Sequence, residues 1–185
     1  MPWKHELREA LWALDGVQQD PRYHPEGDAL THSLQVFDKA RLARPRPALL
    51  AAALLHDVGK ALSTPDHAAL GADLLGGLVA DEVVWLVRHH MDLHHKPRAT
   101  RAALWGTPQL AELETLRRWD LAGRVRGARH PSVEEALDAL EAVWSALRPD
   151  APPALVAAPD ARRGHPNLLP TTPRRWARTN DGGER

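Results

Sequence analysis

The chain has 185 residues, a hydrophobic fraction of 43%, and 24 basic against 24 acidic side chains. That length buries a sizeable core in one domain, and the balanced charge provides no global field to draw in nucleic acid or a membrane surface. There is no cysteine, which excludes disulfides and thiolate metal sites and leaves histidine and carboxylate as the available ligands.

The chain opens on Met1-Pro2-Trp3-Lys4-His5-Glu6, polar and without an apolar signal segment. Its longest apolar run, Ala48 to Leu55, is eight residues, against roughly 20 for a membrane span. A cytoplasmic protein with no membrane partner is the expectation. Nearly every segment has helical rather than alternating periodicity. The pattern predicts helices over about 4–14, 29–43, 47–57, 66–79, 81–92, 98–104, 109–128 and 132–147, hence an all-α bundle. Pro45 and Pro47 separate the second and third helices, and Gly59 ends the third. Pro131-Ser132 with Glu135 is a capping box for the last. Trp85, Trp105 and Trp119 fall at helical spacing and are expected in the core rather than as base-stacking platforms. The expected domain is 1–148. From 149 to 185 seven prolines and the basic residues Arg162, Arg163, Arg174, Arg175 and Arg178 replace periodicity, predicting a disordered tail.

The chemistry concentrates in the histidines. Seven of the 11 lie between positions 32 and 95. The most telling pair, His56-Asp57, sits where the apolar run Ala48–Leu55 stops. Burying an imidazole and a carboxylate together is unfavourable unless something compensates them, and a divalent metal does so. Neighbours on a helix point about 100° apart, but at a helix end both can converge on one ion. On the helix over 81–92, His90 shares a face with Val83, Leu86 and Val87, and His94 follows one turn on. His89 points elsewhere, beside Trp85. Asp120 interrupts the apolar row Leu113, Leu116, Gly123, where a buried carboxylate needs either a metal or an ion pair with Arg124. His32 lines up with Val36 and Ala40, and His67 opens a segment in which Gly71 allows close helix approach.

The order His32, then His56-Asp57-Val58-Gly59-Lys60, then His67 with Gly71-Ala72, then His89-His90, then Asp120 resembles the HD-domain metal-dependent phosphohydrolase superfamily over roughly residues 20–128. Tyr23-His24-Pro25-Glu26-Gly27-Asp28 followed by Thr31-His32-Ser33 looks like the HD domain attached to bacterial CCA-adding tRNA nucleotidyltransferases, here as a free-standing module. The resemblance implies an all-α HD helical bundle with a central metal site. His32, His56, Asp57 and Asp120 would hold a first divalent ion. His67 and His90 would hold a second, with Asp57 bridging. Asp57 and Lys60 would be the catalytic pair, with His94, Arg88, Arg98 and Arg124 contacting substrate.

The implied reaction is in-line attack of metal-activated water on a nucleotide-type or RNA-end phosphoester, with a 2′,3′-cyclic nucleotide favoured. An imidazole and carboxylate set suits Mn, Fe, Co, Ni or Zn better than Mg alone. No DNA-binding motif is present. The alternative is a non-catalytic or slow-turnover nucleotide- or RNA-binding module, which would be expected to have lost ligands.

Overall fold

The computed structural model describes residues 1–151. Most of the segment expected to be a disordered tail, including Arg162, Arg163, Arg174, Arg175 and Arg178, lies outside the described residues. Within them the chain forms α1 (Pro2–Trp12), α2 (Ala29–Ala43), α3 (Pro47–Leu55), a 3-10 turn (Val58–Ala61), α4 (His67–Leu75) and α5 (Asp81–His89). It continues through α6 (Asp92–His95), α7 (Pro97–Ala103), α8 (Pro108–Ala122), α9 (Val133–Glu141) and a 3-10 turn (Trp144–Ala146). There is no β-strand among the described residues, only an isolated antiparallel bridge between Gln18 and Asp28. The architecture is all-α.

The centre of the bundle is α3. Ala48, Leu49 and every residue from Ala51 to Leu55 are buried, because a helix apolar on all sides has no face to offer water. It packs against α2, α5, α8 and α9. The small side chains of Ala51, Ala52 and Ala53 let those neighbours approach closely, so the end of α3 delivers His56 and Asp57 into the interior.

Local signals start the surrounding helices. Asp28 caps α2 by accepting from the Thr31 amide at 2.8 Å. Thr107 caps α8. Ser132 and Glu135 form the expected reciprocal capping box of α9. On the side away from the site, Trp3 stacks on Trp144 at 3.7 Å, tying α1 to the last 3-10 turn.

Several helices are shorter than their periodicity suggests. The segment expected over 66–79 stops at Leu75, before Gly76 and Gly77, the latter at φ +74°. The one over 109–128 stops at Ala122, before Gly123. The one over 81–92 breaks at His89, and a separate turn, α6, follows. At the break the His90 Nδ1–H donates to the Val87 carbonyl at 2.6 Å, satisfying an oxygen of the last helical turn. The last helix divides into α9 and a 3-10 turn. Trp85 and Trp119 are half-buried against the core, but Trp105 is 75% exposed. It follows α7 immediately before Gly106, which has φ +74°, so helical spacing does not extend to it.

One backbone contact sets the site. The 3-10 turn that follows Asp57 lies directly on α4. A Cβ at Gly59 would collide with the carbonyl of His67 and lie 2.6 Å from the Gly71 amide nitrogen. Hydrogen at this position is what allows Asp57 and His67 to meet. Gly59→Ala should therefore lower stability by about 1–3 kcal/mol, the range for overpacking a packed core. Thermal melting followed by circular dichroism checks this. Gly76→Ala, whose Cβ would meet nothing closer than 3.4 Å, should change the midpoint little.

Candidate metal centre

Each of the central histidines commits its Nδ1 to the protein frame. His56 Nδ1 lies 3.1 Å from the Ala53 carbonyl, His67 Nδ1 2.7 Å from that of Thr64, and His90 Nδ1 2.6 Å from that of Val87. A carbonyl only accepts, so all three Nδ1 atoms carry a proton, and in the neutral form of each ring Nε2 presents a lone pair. His32 Nδ1 instead faces a carboxylate, with Glu26 Oε1 at 2.7 Å.

The four Nε2 atoms surround Asp57. Asp57 Oδ2 is 3.4 Å from His56 Nε2 and 3.8 Å from His32 Nε2, while Oδ1 is 3.3 Å from His67 Nε2 and 3.7 Å from His90 Nε2. Asp120, projecting from α8, puts Oδ1 3.1 Å from His32 Nε2. Two triads result, His32–His56–Asp120 and Asp57–His67–His90, and within each the ligand atoms lie within 4.8 Å of one another. All six residues are buried. Close approach also underlies the α8 side: a Cβ at Gly123 would lie 2.6 Å from Val36 Cγ2, so α8 can bring Asp120 against α2 and His32.

The donor set fits a divalent cation on two observations. His56 Nε2 is buried without a hydrogen-bond partner. His67 and His90 point their Nε2 atoms at each other across 3.1 Å, although both protons are already committed to carbonyls. Opposed lone pairs repel unless a positive charge lies between them, and 3.1 Å suits adjacent nitrogens each roughly 2.1 Å from one ion.

Charge is shared across the same cluster. Lys60 pairs with Asp57, Arg124 with Asp120, and the His32 ring lies between Glu26 and Asp120. Lys60 Nζ donates to Asp57 Oδ2 at 2.7 Å and to Gln19 Oε1 at 2.5 Å. Arg124 donates to both oxygens of Asp120 at 2.9 Å. Burial alone would raise the Asp57 carboxyl, but His56 and Lys60 outweigh it and hold it well below its usual range. Burial works the same way at Asp120, where bonds from His32 and His94 prevail and keep it ionised. His90 moves oppositely: burial, with His56 adding to the effect, pushes it down to about 3. Burial likewise lowers His67, so both imidazoles are neutral and able to ligate. At His32 burial is overcome by Asp120 and Glu26, and the ring is raised.

The remaining sequence-predicted residues divide sharply. His94, expected to contact substrate, does not line the cavity; its buried Nε2 lies 3.3 Å from Asp120 Oδ2. Lys60 and Arg124 line the cavity together with His24, Met91 and the central residues. Arg88 and Arg98, expected to contact substrate, do not line it. Arg88 is two positions before His90, about 200° around the helix. It pairs with exposed Asp73 at 2.5 Å instead. Arg98 is exposed on α7, after the chain has turned away at Lys96. His89 packs tilted against Trp85, with ring centroids 4.5 Å apart, and His95 is exposed.

Glu26, Gln19 and the place of His24 were not deducible from pattern. All three lie in the irregular stretch between α1 and α2, where periodicity carries no information. The only signal was their membership of the Tyr23–Asp28 motif or proximity to it.

The HD domain family matches residues 29–122, just over half of the chain. This chain belongs to the HD domain family. The HD domain places it in the metal-dependent phosphohydrolase superfamily, and the buried His/Asp groups are those that could hold the divalent metal. The HD domain is also similar to part of several multifunctional CCA proteins. It is 41% identical over 75 residues to that of Hahella chejuensis, covering 37% of this chain and 18% of the relative. For Halorhodospira halophila the identity is 46% over 68 residues, covering 33% and 16%. For Methylococcus capsulatus it is 43% over 72 residues, covering 35% and 17%. These matches span less than a fifth of the length of those relatives. No helix among the described residues is long and apolar enough to cross a membrane.

An ion bound only to the folded state stabilises it by mass action, by about 2.7 kcal/mol at a hundredfold excess over Kd. Manganese or nickel should therefore raise the melting midpoint by roughly 5–10 °C, with EDTA reversing the shift. In Asp57→Ala the rise should be absent. An equal rise in that variant would place binding elsewhere.

Proposed function

We propose that this HD domain hydrolyses a nucleotide-type phosphoester, with a 2′,3′-cyclic nucleotide or RNA-end phosphate as the favoured substrate, using two divalent ions that share Asp57. The observation that carries this reading is the division of Asp57: each carboxylate oxygen faces a different group of imidazoles. His32, His56, Asp57 and Asp120 would hold one ion, and Asp57, His67 and His90 the other. The ligand chemistry favours Mn, Fe, Co, Ni or Zn over Mg. Bound there, a divalent ion supplies Lewis acidity that lowers the pKa of water and offsets charge on phosphoryl oxygens.

The chain's own residues divide the remaining work. Lys60, anchored by Gln19, presents an ammonium group at the cavity wall beside Asp57. Arg124 presents a guanidinium on the opposite carboxylate, Asp120. Both are placed to stabilise negative charge that grows on a phosphoryl group in the cavity. The cavity is only about 60 Å³, room for a phosphate-sized group but not a nucleoside. The sugar and base would remain outside it, so discrimination should fall on the phosphoester linkage more than on the base. The likeness to the HD region of CCA-adding enzymes supports nucleotide or RNA-end chemistry.

Purified protein should be tested on 2′,3′-cAMP, 2′-AMP, 5′-dAMP, diadenosine tetraphosphate and bis-p-nitrophenyl phosphate with manganese, nickel, cobalt or magnesium. Turnover should require metal, be highest on 2′,3′-cAMP, and fall by roughly 10³-fold in His56→Ala and Asp57→Ala. Lys60→Ala should lose about 10–100-fold. Metal-loaded protein inert on every ester would overturn the catalytic reading in favour of a binding module.

A further inference from the structure

Three other features could carry a role. A cleft beside Trp85, His89, Asp92 and Lys96 shows nothing to specify an occupant, and the apolar groove between α1 and α4 is equally unspecified. The third is a buried histidine–carboxylate–histidine chain, which carries further.

The Glu26 side chain is wholly buried although it lies in the loop before α2. One oxygen, Oε1, is 2.7 Å from His32 Nδ1 and 2.9 Å from His24 Nδ1. The two rings meet edge to face, with centroids 4.8 Å apart and planes at 90°. These three residues could be taken for another metal site, since their ligand atoms cluster. The ring orientations argue otherwise. His32 turns Nε2 toward Asp57 and Asp120, which leaves Nδ1 for the proton, and a ring N–H meets a carboxylate oxygen directly at 2.7–2.9 Å.

Glu26 thus stands behind His32 as backbone carbonyls stand behind His56, His67 and His90; it hydrogen-bonds His24, and it meets His32 Nδ1 as a close charge contact without hydrogen-bond alignment. It does so with a full negative charge, the only carboxylate among the four partners. A charged acceptor behind an imidazole fixes its orientation and strengthens the opposite nitrogen as a ligand. Burying that charge is unfavourable unless it is compensated, and the second imidazole, His24, supplies a further donor.

We propose that Glu26 is a positioning residue: its carboxylate, braced by His24, aims His32 Nε2 at the ion shared with His56 and Asp120. The inference rests on the metal-centre reading above, and its test separates the two. The predicted signature is selective. Loss of Glu26 should weaken the position that includes His32 and leave the one formed by His67 and His90 nearly intact.

Mn²⁺ binding to the full chain would be followed by electron paramagnetic resonance and calorimetry in wild type, Glu26→Gln, Glu26→Asp and His24→Ala. Long-range ¹H–¹⁵N spectra of the metal-free proteins would report the ring orientation of His24 and His32 through their nitrogen shifts. Glu26→Gln should weaken one Mn²⁺ equivalent by 10–100-fold and alter the His24 and His32 nitrogen shifts. His24→Ala should weaken it less. Glu26→Asp keeps the charge with a shorter reach and should fall between wild type and Gln; it also serves if the Gln variant does not fold. Unchanged Mn²⁺ affinity and unchanged nitrogen shifts in Glu26→Gln would overturn the proposal. So would equal weakening of both Mn²⁺ equivalents, the mark of general loosening. If wild type binds no Mn²⁺, the metal reading fails, and the nitrogen shifts alone decide whether Glu26 orients the rings.

Discussion

The structure depends on one electrostatic arrangement, a carboxylate at the centre of an apolar bundle, ringed by four imidazoles and paired with Lys60. Asp57 is 2% exposed, and the Lys60 ammonium 2.7 Å away offsets its charge. Burying an unpaired carboxylate would cost several kcal/mol at least, so the bundle tolerates Asp57 only as part of its ring. That constraint explains features far from the chemistry. Gly59 and Gly71 let α4 close on the turn, Gly123 lets α8 close on α2, and the alanines of α3 let the surrounding helices approach.

The same logic explains the imidazole tautomers. His56 and His90 sit at helix C-termini, where carbonyls lack partners along the axis, while His67 opens α4 and reaches the Thr64 carbonyl of the loop before it. At His56 and His90 the folding requirement of the helix end becomes the orientation requirement of the ligand. Two cations, Lys60 and Arg124, balance part of the buried negative charge, and both face the cavity. The charge arrangement that stabilises the carboxylates therefore also suits an anionic phosphoryl group.

Much of the ring was legible before any coordinates. His56-Asp57 stood out because an apolar helix ended on it. Asp120 stood out as a charge on an apolar row, and His90 as an imidazole on an apolar face, which helical periodicity distinguishes from adjacent His89. Both partners weighed for Asp120 are relevant, since Arg124 binds it. Residues read from type alone fared worse. Arg88 and Arg98 are basic and near the histidines in sequence, but helix rotation and the turn at Lys96 carry them outside. Trp105 kept helical spacing in the sequence after the helix itself had ended. Glu26 and Gln19 lie in irregular backbone, where contacts are set by the packed bundle and not by any local repeat.

The central claim is that Asp57 stands between two ion positions defined by the flanking histidines. Crystals grown with zinc and measured on both sides of its absorption edge test it directly. The account predicts two anomalous peaks flanking Asp57, one about 2.1 Å from the Nε2 atoms of His32 and His56 and one about 2.1 Å from those of His67 and His90. Peaks confined to surface histidines, with His67 and His90 still facing each other and no density between them, would contradict it.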